Sequence, residues 1–128
     1  MSEYTKHLTP RPELRERIIE TAVKAFAAQG IKSITMDDIA TSLGISKRTL
    51  YEVFPDKETL LEECILRGQK EGDEYLKNVL ATSENVLEVL LKCYQRSIEK
   101  FHATNKKFFE DIKKYPKAYK LMTKRHDQ

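Results

Sequence analysis

The sequence contains little cysteine, glycine or proline. Its 128 residues include two cysteines, four glycines and four prolines. Cys64 and Cys93 lie far apart with no CxxC or Cys/His pairing, which excludes a disulfide framework and argues against metal ligation. We expect both to be small buried side chains in a reducing compartment. The scarcity of glycine and proline excludes a turn-dense all-β fold, and the many Ala, Leu, Glu and Lys residues predict an all-α chain.

Long apolar runs and a strong charge of one sign are also lacking. No apolar stretch approaches the ~20 residues of a membrane span, and the N-terminus has no hydrophobic signal core. We therefore expect a cytoplasmic protein without a membrane partner. The net charge is only +3, so any contact with a polyanion must come from locally placed cations. We interpret the lysine-rich residues 105–128 as a solvated face.

No catalytic constellation is visible in the sequence. His7, His102 and His126 are scattered, and no activated nucleophile or pair of carboxylates accompanies them. We expect neither a metal nor a cofactor, and we do not expect an enzyme.

Three helices are predicted in the first half of the chain. Apolar residues recur at helical spacing from Glu13 to a closing glycine, Gly30. Thr35 and Asp38 have the spacing of a capping box and predict a two-turn helix. Ser46 is expected to cap a third helix that ends before Pro55.

The second half is predicted to be helical throughout. A long helix runs from 57 to about 81, where Gly68 and Gly72 suggest a bend or a close helix crossing. A fifth helix begins at 83–85. A sixth begins near Asn105 and is expected to end or kink at Pro116.

Residues 35–54 have the pattern of a helix-turn-helix, in which two short helices are joined by a tight turn. Ala40 is small enough for close helix packing, and Gly44 provides an unhindered backbone at the turn. Leu50 and Phe54 are four residues apart and share one face of the second helix. We expect this face to pack against an apolar set consisting of Ile18, Val23 and Ile39.

The first turn of that second helix carries the candidate DNA-reading residues. In a helix-turn-helix the second helix enters the major groove with its N-terminal residues at base edges. Lys47 and Arg48 are able to donate to guanine, and the methyl group of Thr49 is able to contact thymine. The N–H groups at the helix start, which Ser46 caps, suit a phosphate. Lys57, at the start of the next helix, is a further phosphate candidate.

Residues 15–65, "RERIIETAVKAFAAQGIKSITMDDIATSLGISKRTLYEVFPDKETLLEECI", resemble the TetR family of bacterial transcriptional regulators. The stretch "GISKRTLYEVFPDKETL" is similar to the family's recognition helix and the start of its fourth helix. The resemblance implies base contacts for Lys47, Arg48 and Thr49. It implies phosphate contacts for Thr35, Tyr51 and Lys57. It also implies a homodimeric repressor that binds a palindromic operator and is released by a small-molecule effector.

The resemblance further implies two domains, with a helix-turn-helix DNA-binding domain at 1–56 and a helical ligand-binding and dimerisation domain at 57–128. Family members are typically longer, and their last two long helices form the dimer interface, so the second domain is expected to be incomplete. Its aromatic residues are either pocket-lining residues or ordinary core: Tyr94, Phe101, Phe108 and Phe109. The alternative function is a helical ligand-binding or protein-interaction module that does not bind DNA. Such a module has no need of cations at 47, 48 and 57.

Overall fold

The computed structural model describes residues 11–124. Within this range the chain forms seven helices and no strand. These are α1 (Arg11–Gln29), α2 (Met36–Leu43), α3 (Lys47–Val53), α4 (Lys57–Thr82), α5 (Val86–Ala103), α6 (Lys106–Ile112) and α7 (Pro116–Lys124). The predicted all-α class is confirmed. Residues 1–10 and 125–128, which include the outer ends of both predicted domains, lie outside the described range.

Local capping signals place α2 and α3 where the sequence predicts them. The Thr35 hydroxyl accepts from the Asp38 N–H at 3.1 Å, and the Asp38 carboxylate accepts from the Thr35 N–H at 2.9 Å. This is the predicted capping box. Gly44 ends α2 in the left-handed region at φ 69°. Ser46 then caps α3 by accepting from the N–H of Thr49 at 3.0 Å.

The inner face of α3 is buried as predicted. Leu50 is 0% exposed and Phe54 is 2% exposed, and both belong to the main core cluster. The prediction for Val23 is wrong, because this residue is 37% exposed. The buried stripe of α1 is centred on Ala22, which is 0% exposed. Val23 lies about 100° further around the helix, since 3.6 residues complete one full turn.

α4 is one continuous helix that packs against α1, α5 and α7. It runs through Gly68 and Gly72 without a break. The nearest neighbour that a Cβ at Gly72 would meet is Nη1 of Arg96 on α5, at 3.8 Å. None of the helices between residues 11 and 124 has the length and apolar character that a bilayer crossing requires.

α6 packs against α1, and α7 packs against α4. α6 already ends at Ile112, and Pro116 begins α7, where a proline is tolerated because the first N–H groups of a helix have no internal partner. Ile112 and Ala118 are buried in the same core cluster as Ile18. One core therefore spans both sides of residue 56, and the division into two domains at that point stays a prediction.

The two cysteines have different environments. Cys64 is 8% exposed, and burial raises the pKa of its thiol to about 12. Cys93 is only half-buried. The expectation of two buried thiols is thus confirmed for Cys64 alone.

Candidate nucleic-acid interface

The first turn of α3 projects outward while the opposite side of the helix is held in the core. Ser46, Lys47 and Arg48 are exposed, and Leu50, a single turn further on, is completely buried. The hydroxyl and the cations that come first in the sequence therefore lie on the protein surface. The large apolar side chains that follow them lie in the core. The exposed turn is a cationic tip with the charge and width to approach an anionic groove.

Lys47 is paired with a carboxylate that sequence reasoning missed. Its Nζ lies 3.0 Å from Oδ1 of Asp37 in the first turn of α2, and both side chains are largely exposed. The hydrogen bond from Lys47 to Asp37 raises the pKa of Lys47 above its ordinary value. In the sequence, Asp37 is recognisable only as an acidic residue in the first turn of α2, at the end of the helix away from the Gly44 turn. Its spacing from Lys47 does not show that the two would meet.

Thr49 lies behind the tip rather than on it. It is half-buried, and its hydroxyl lies 2.9 Å from that of Ser46, which it meets across the capping turn. Both hydroxyls thus already take part in the cap. Lys47 and Arg48 are the outermost of the three predicted base readers.

The predicted phosphate-binding residues do not share one environment. Thr35 is exposed but its hydroxyl is used in the capping box. Tyr51 is 43% exposed on α3. Lys57 is half-buried, with Nζ 5.8 Å from the centre of the Tyr115 ring. Partial burial lowers the pKa of Lys57, and the negative charges of Asp111 and Asp38 oppose that shift.

Contacts from α1 and α4 fix the base of α3. The guanidinium of Arg15 lies 5.4 Å from the centre of the Phe54 ring. The same group forms an ion pair with Glu63 of α4 at 2.7 Å. A second ion pair joins Glu16 of α1 to Arg67 of α4. Arg15 therefore connects three helices around the end of α3, a role that no local sequence signal indicates.

Three of the four aromatic residues predicted as pocket candidates are in contact with one another. Phe101 and Phe109 stack with ring centres 5.3 Å apart, and Phe108 meets Phe109 edge-on at 5.6 Å. Tyr94 is 65% exposed and Phe101 is 62% exposed. A ligand pocket at these residues stays a prediction.

The described part of the chain contains no candidate metal-binding site. Between residues 11 and 124 no three His, Cys, Asp or Glu side chains are grouped in a way that would hold a metal ion.

The fold and the tip together define a class of protein. The first three helices form a head in which the short, capped α3 follows α2 through the turn at Gly44. This arrangement defines a helix-turn-helix protein. Residues 18–64 match the sequence model described as "Bacterial regulatory proteins, tetR family". This match shows that the helix-turn-helix part of the chain is similar to that of the TetR family.

Two relatives illustrate the match and its extent. The biofilm operon icaADBC HTH-type negative transcriptional regulator IcaR of Staphylococcus aureus is 32% identical over 72 residues, which cover 56% of this chain and 37% of IcaR. The HTH-type transcriptional regulator YhgD of Bacillus subtilis is 32% identical over 101 residues, or 76% of this chain and 52% of YhgD. The chain thus spans about half or less of the length of these relatives.

Solved structures show the same fold. A Mesorhizobium loti protein assigned to the TetR family superposes with a TM-score of 0.68 at 24% identity, covering 88% of this chain and 60% of that one. A TetR-family transcriptional regulator from Pectobacterium atrosepticum superposes with a TM-score of 0.58 at 28% identity, covering 70% of this chain and 46% of that one.

Proposed function

We propose that this chain is a non-enzymatic, cytoplasmic regulator that binds a specific double-stranded operator through α3 and represses transcription. The observation that supports this most directly is the exposed pair Lys47 and Arg48 on a turn whose rear face, Leu50, is fully buried. A helix held in this way keeps its cations at a fixed height above the core, as major-groove reading requires. IcaR is named as a negative transcriptional regulator, which favours repression.

The proposed division of labour follows the helices. Lys47, Arg48 and Thr49 would contact bases, with Arg48 the principal reader, because Lys47 is shared with Asp37 and Thr49 is half-buried. Thr35, Ser46, Tyr51 and Lys57 would contact backbone phosphates. Because phosphate contacts position a protein and base contacts specify the site, this second set should affect all duplexes alike.

Residues 1–56 would form the DNA-binding domain, and 57–128 would respond to a small-molecule effector. The protein would act as a homodimer on a palindromic operator, since a two-fold assembly matches two-fold half-sites. The aromatic group formed by Phe101, Phe108 and Phe109 is the candidate contact for the effector.

Selection of bound duplexes from a random pool, followed by affinity measurement on the selected sequence, tests this function. Arg48→Ala should weaken binding by ~1–3 kcal/mol and relax base preference at one position. Lys77→Ala is the matched control, because it removes an exposed cation from α4, away from the tip. Equal affinity of wild type and Arg48→Ala for the selected duplex, or a pool that yields no preferred sequence, would contradict the proposal.

A further inference from the structure

Asp37 places a negative charge on the surface that is proposed to meet DNA. Its side chain is 58% exposed, and its Oδ1 lies 3.0 Å from Nζ of Lys47, whose side chain is 62% exposed. Asp37 is the second residue of α2, and Lys47 is the first residue of α3. Because a carboxylate repels a polyanion, Asp37 lowers the attraction of the tip for any phosphate backbone.

The helix that contains Asp37 does not depend on this carboxylate. The neighbouring Asp38 completes the capping box of α2 by accepting from the N–H of Thr35 at 2.9 Å. Asp38 also supplies the negative charge that favours the first turn of a helix. Asp37 instead contacts a side chain of α3, ten positions further along the chain. Its interaction therefore joins the two helices of the helix-turn-helix at the tip.

A free Lys47 would be able to bind phosphate as readily as a base. Lysine is a compact charge on a flexible four-carbon stem and binds phosphate as a point charge. A lysine on phosphate adds affinity for every duplex and reads no sequence. An unrestrained lysine at this position would therefore raise non-specific binding and reduce discrimination between sequences.

The ion pair changes this balance in favour of a base. The lysine ammonium has three N–H donors, so the contact with Asp37 leaves two, enough for O6 and N7 of one guanine. A phosphate that approached Nζ beside Asp37 would be repelled by the carboxylate, whereas the neutral edge of guanine carries no net negative charge. For Lys47 to reach a more distant phosphate, Nζ must first leave Asp37.

We infer that Asp37 is a positioning residue that sets sequence specificity, because it holds Lys47 for a base edge and disfavours contact of Lys47 with the phosphate backbone. Specificity is a difference between affinities, and a repulsive element directed against the wrong contact increases that difference. This inference rests on the proposed function, since it assigns Asp37 a role in the reading of DNA by α3.

Affinities for the selected duplex and for a random-sequence duplex of equal length, measured side by side, test the inference. In Asp37→Asn the random duplex should gain more affinity than the selected one. The ratio of the two affinities should fall by about two- to five-fold for each tip on DNA, the range expected for one exposed ion pair. Glu99→Gln removes the same charge from an exposed position on α5 and should leave the ratio unchanged.

Salt dependence provides a readout that a merely structural role would not change. On the random duplex, the slope of log affinity against log salt should become steeper by about 0.9 in Asp37→Asn, because Lys47 gains one phosphate contact. The slope on the selected duplex should change less. Asp37→Glu keeps a carboxylate beside Lys47 and should retain both the wild-type ratio and the wild-type slopes.

A Lys47→Ala background separates positioning from general repulsion. If Asp37 acts through Lys47, adding Asp37→Asn in this background should leave the affinity ratio unchanged, because no ammonium is released. A ratio that falls as far as it does with Lys47 present would show that Asp37 acts without Lys47, and would overturn the inference. Thermal unfolding of each variant checks that the helix-turn-helix is intact.

Two further results would overturn the inference and leave the proposed function standing, because the wild type would still select a sequence. One is an equal gain of Asp37→Asn on both duplexes, which would reduce Asp37 to general repulsion. The other is loss of preference at one base pair with no gain on the random duplex, since Asp37 would then itself accept from a base such as cytosine. A wild type that selects no sequence overturns the proposed function and this inference together.

Discussion

At the scale of single residues, Lys47 stands between two anions, the Asp37 carboxylate in the free protein and the proposed phosphates or guanine acceptors of DNA. The ion pair holds Nζ 3.0 Å from Oδ1 of Asp37 at the tip. It orders a flexible side chain, but it also places a negative charge next to the proposed polyanion. Because the Lys47–Asp37 ion pair is exposed, dissolved salt weakens both of these electrostatic effects.

Asp37→Asn should therefore tighten binding to the selected duplex. The change removes a carboxylate that repels phosphate and frees Lys47 to contact DNA. The gain should shrink as salt is raised, because exposed charges are screened. Fluorescence anisotropy at several salt concentrations measures this. Glu99→Gln on α5 removes the same charge away from the tip and should have no effect. Weaker binding by Asp37→Asn would instead show that the pair orders Lys47 for contact.

Two glycines have left-handed backbones and differ in their surroundings. Gly30 has φ 87°, and a Cβ there would lie 2.8 Å from Cβ of Lys107 on α6. Gly44 has φ 69°, and a Cβ there would meet nothing within 4 Å. A side chain at Gly44 would therefore meet backbone strain alone, whereas a side chain at Gly30 would meet backbone strain and steric crowding.

Gly44→Ala should lower the free energy of unfolding by ~1–2 kcal/mol, the cost of a left-handed L-residue. Gly30→Ala should cost more, because it adds a clash with α6 to the same strain. Urea unfolding of both variants measures the difference. Gly44→Asn is the control, since asparagine tolerates this conformation. Equal losses for the two alanine variants would show that α6 moves aside without cost.

At the scale of the elements, α6 closes the end of α1. The Asn105 N–H donates to the carbonyl of Ala27 at 2.7 Å, and its side-chain amide donates to that of Ala28 at 3.2 Å. The last carbonyls of a helix have no partner within it, so Asn105 satisfies two of them. Asp111 accepts from the N–H groups of Ile31 at 3.0 Å and Lys32 at 2.9 Å. The first three helices are thus connected to the C-terminal helices by one main-chain hydrogen bond and by side-chain hydrogen bonds of Asn105 and Asp111.

Asp111→Ala should destabilise the fold by ~1–3 kcal/mol, because two main-chain donors lose a charged acceptor. Asp111→Asn should cost less, since its amide oxygen still accepts. Glu110→Ala, at the exposed neighbouring position, should be nearly neutral. Thermal and urea unfolding measure all three. A neutral Asp111→Ala would mean that water replaces the carboxylate at these donors.

At this scale the sequence predicts the helix caps and turns, because these depend on interactions between residues that are close in the chain. The capping box of Thr35, the cap at Ser46 and the turn at Gly44 depend on residues within a few positions of each other. The partners of Asp111 are 80 and 79 positions away. No periodicity or cap specifies such a contact, because it arises only when the core brings distant helices together. The same reason explains why Tyr115 beside Lys57 was not predicted.

At the scale of the whole molecule, one buried cluster extends from Leu14 to Ala118. The apolar pattern predicted most of its members in α1 to α4, and it misplaced Val23 by one step around the helix. The pattern also predicted α5, but it assigned the apolar side of that helix to an interior. Hydrophobic spacing shows which side of a helix avoids water and not which molecule covers it. Within residues 11–124 the apolar side of α5 is largely exposed.

The contrast between the two thiols has a practical consequence for spectroscopy. A maleimide dye reacts with thiolate, so the Cys64 thiol, with its pKa raised to about 12, should remain unlabelled in the folded protein. Labelling should then be confined to Cys93, directly before Tyr94. One fluorophore per native chain would report on this helix by energy transfer or self-quenching, without any engineered attachment point.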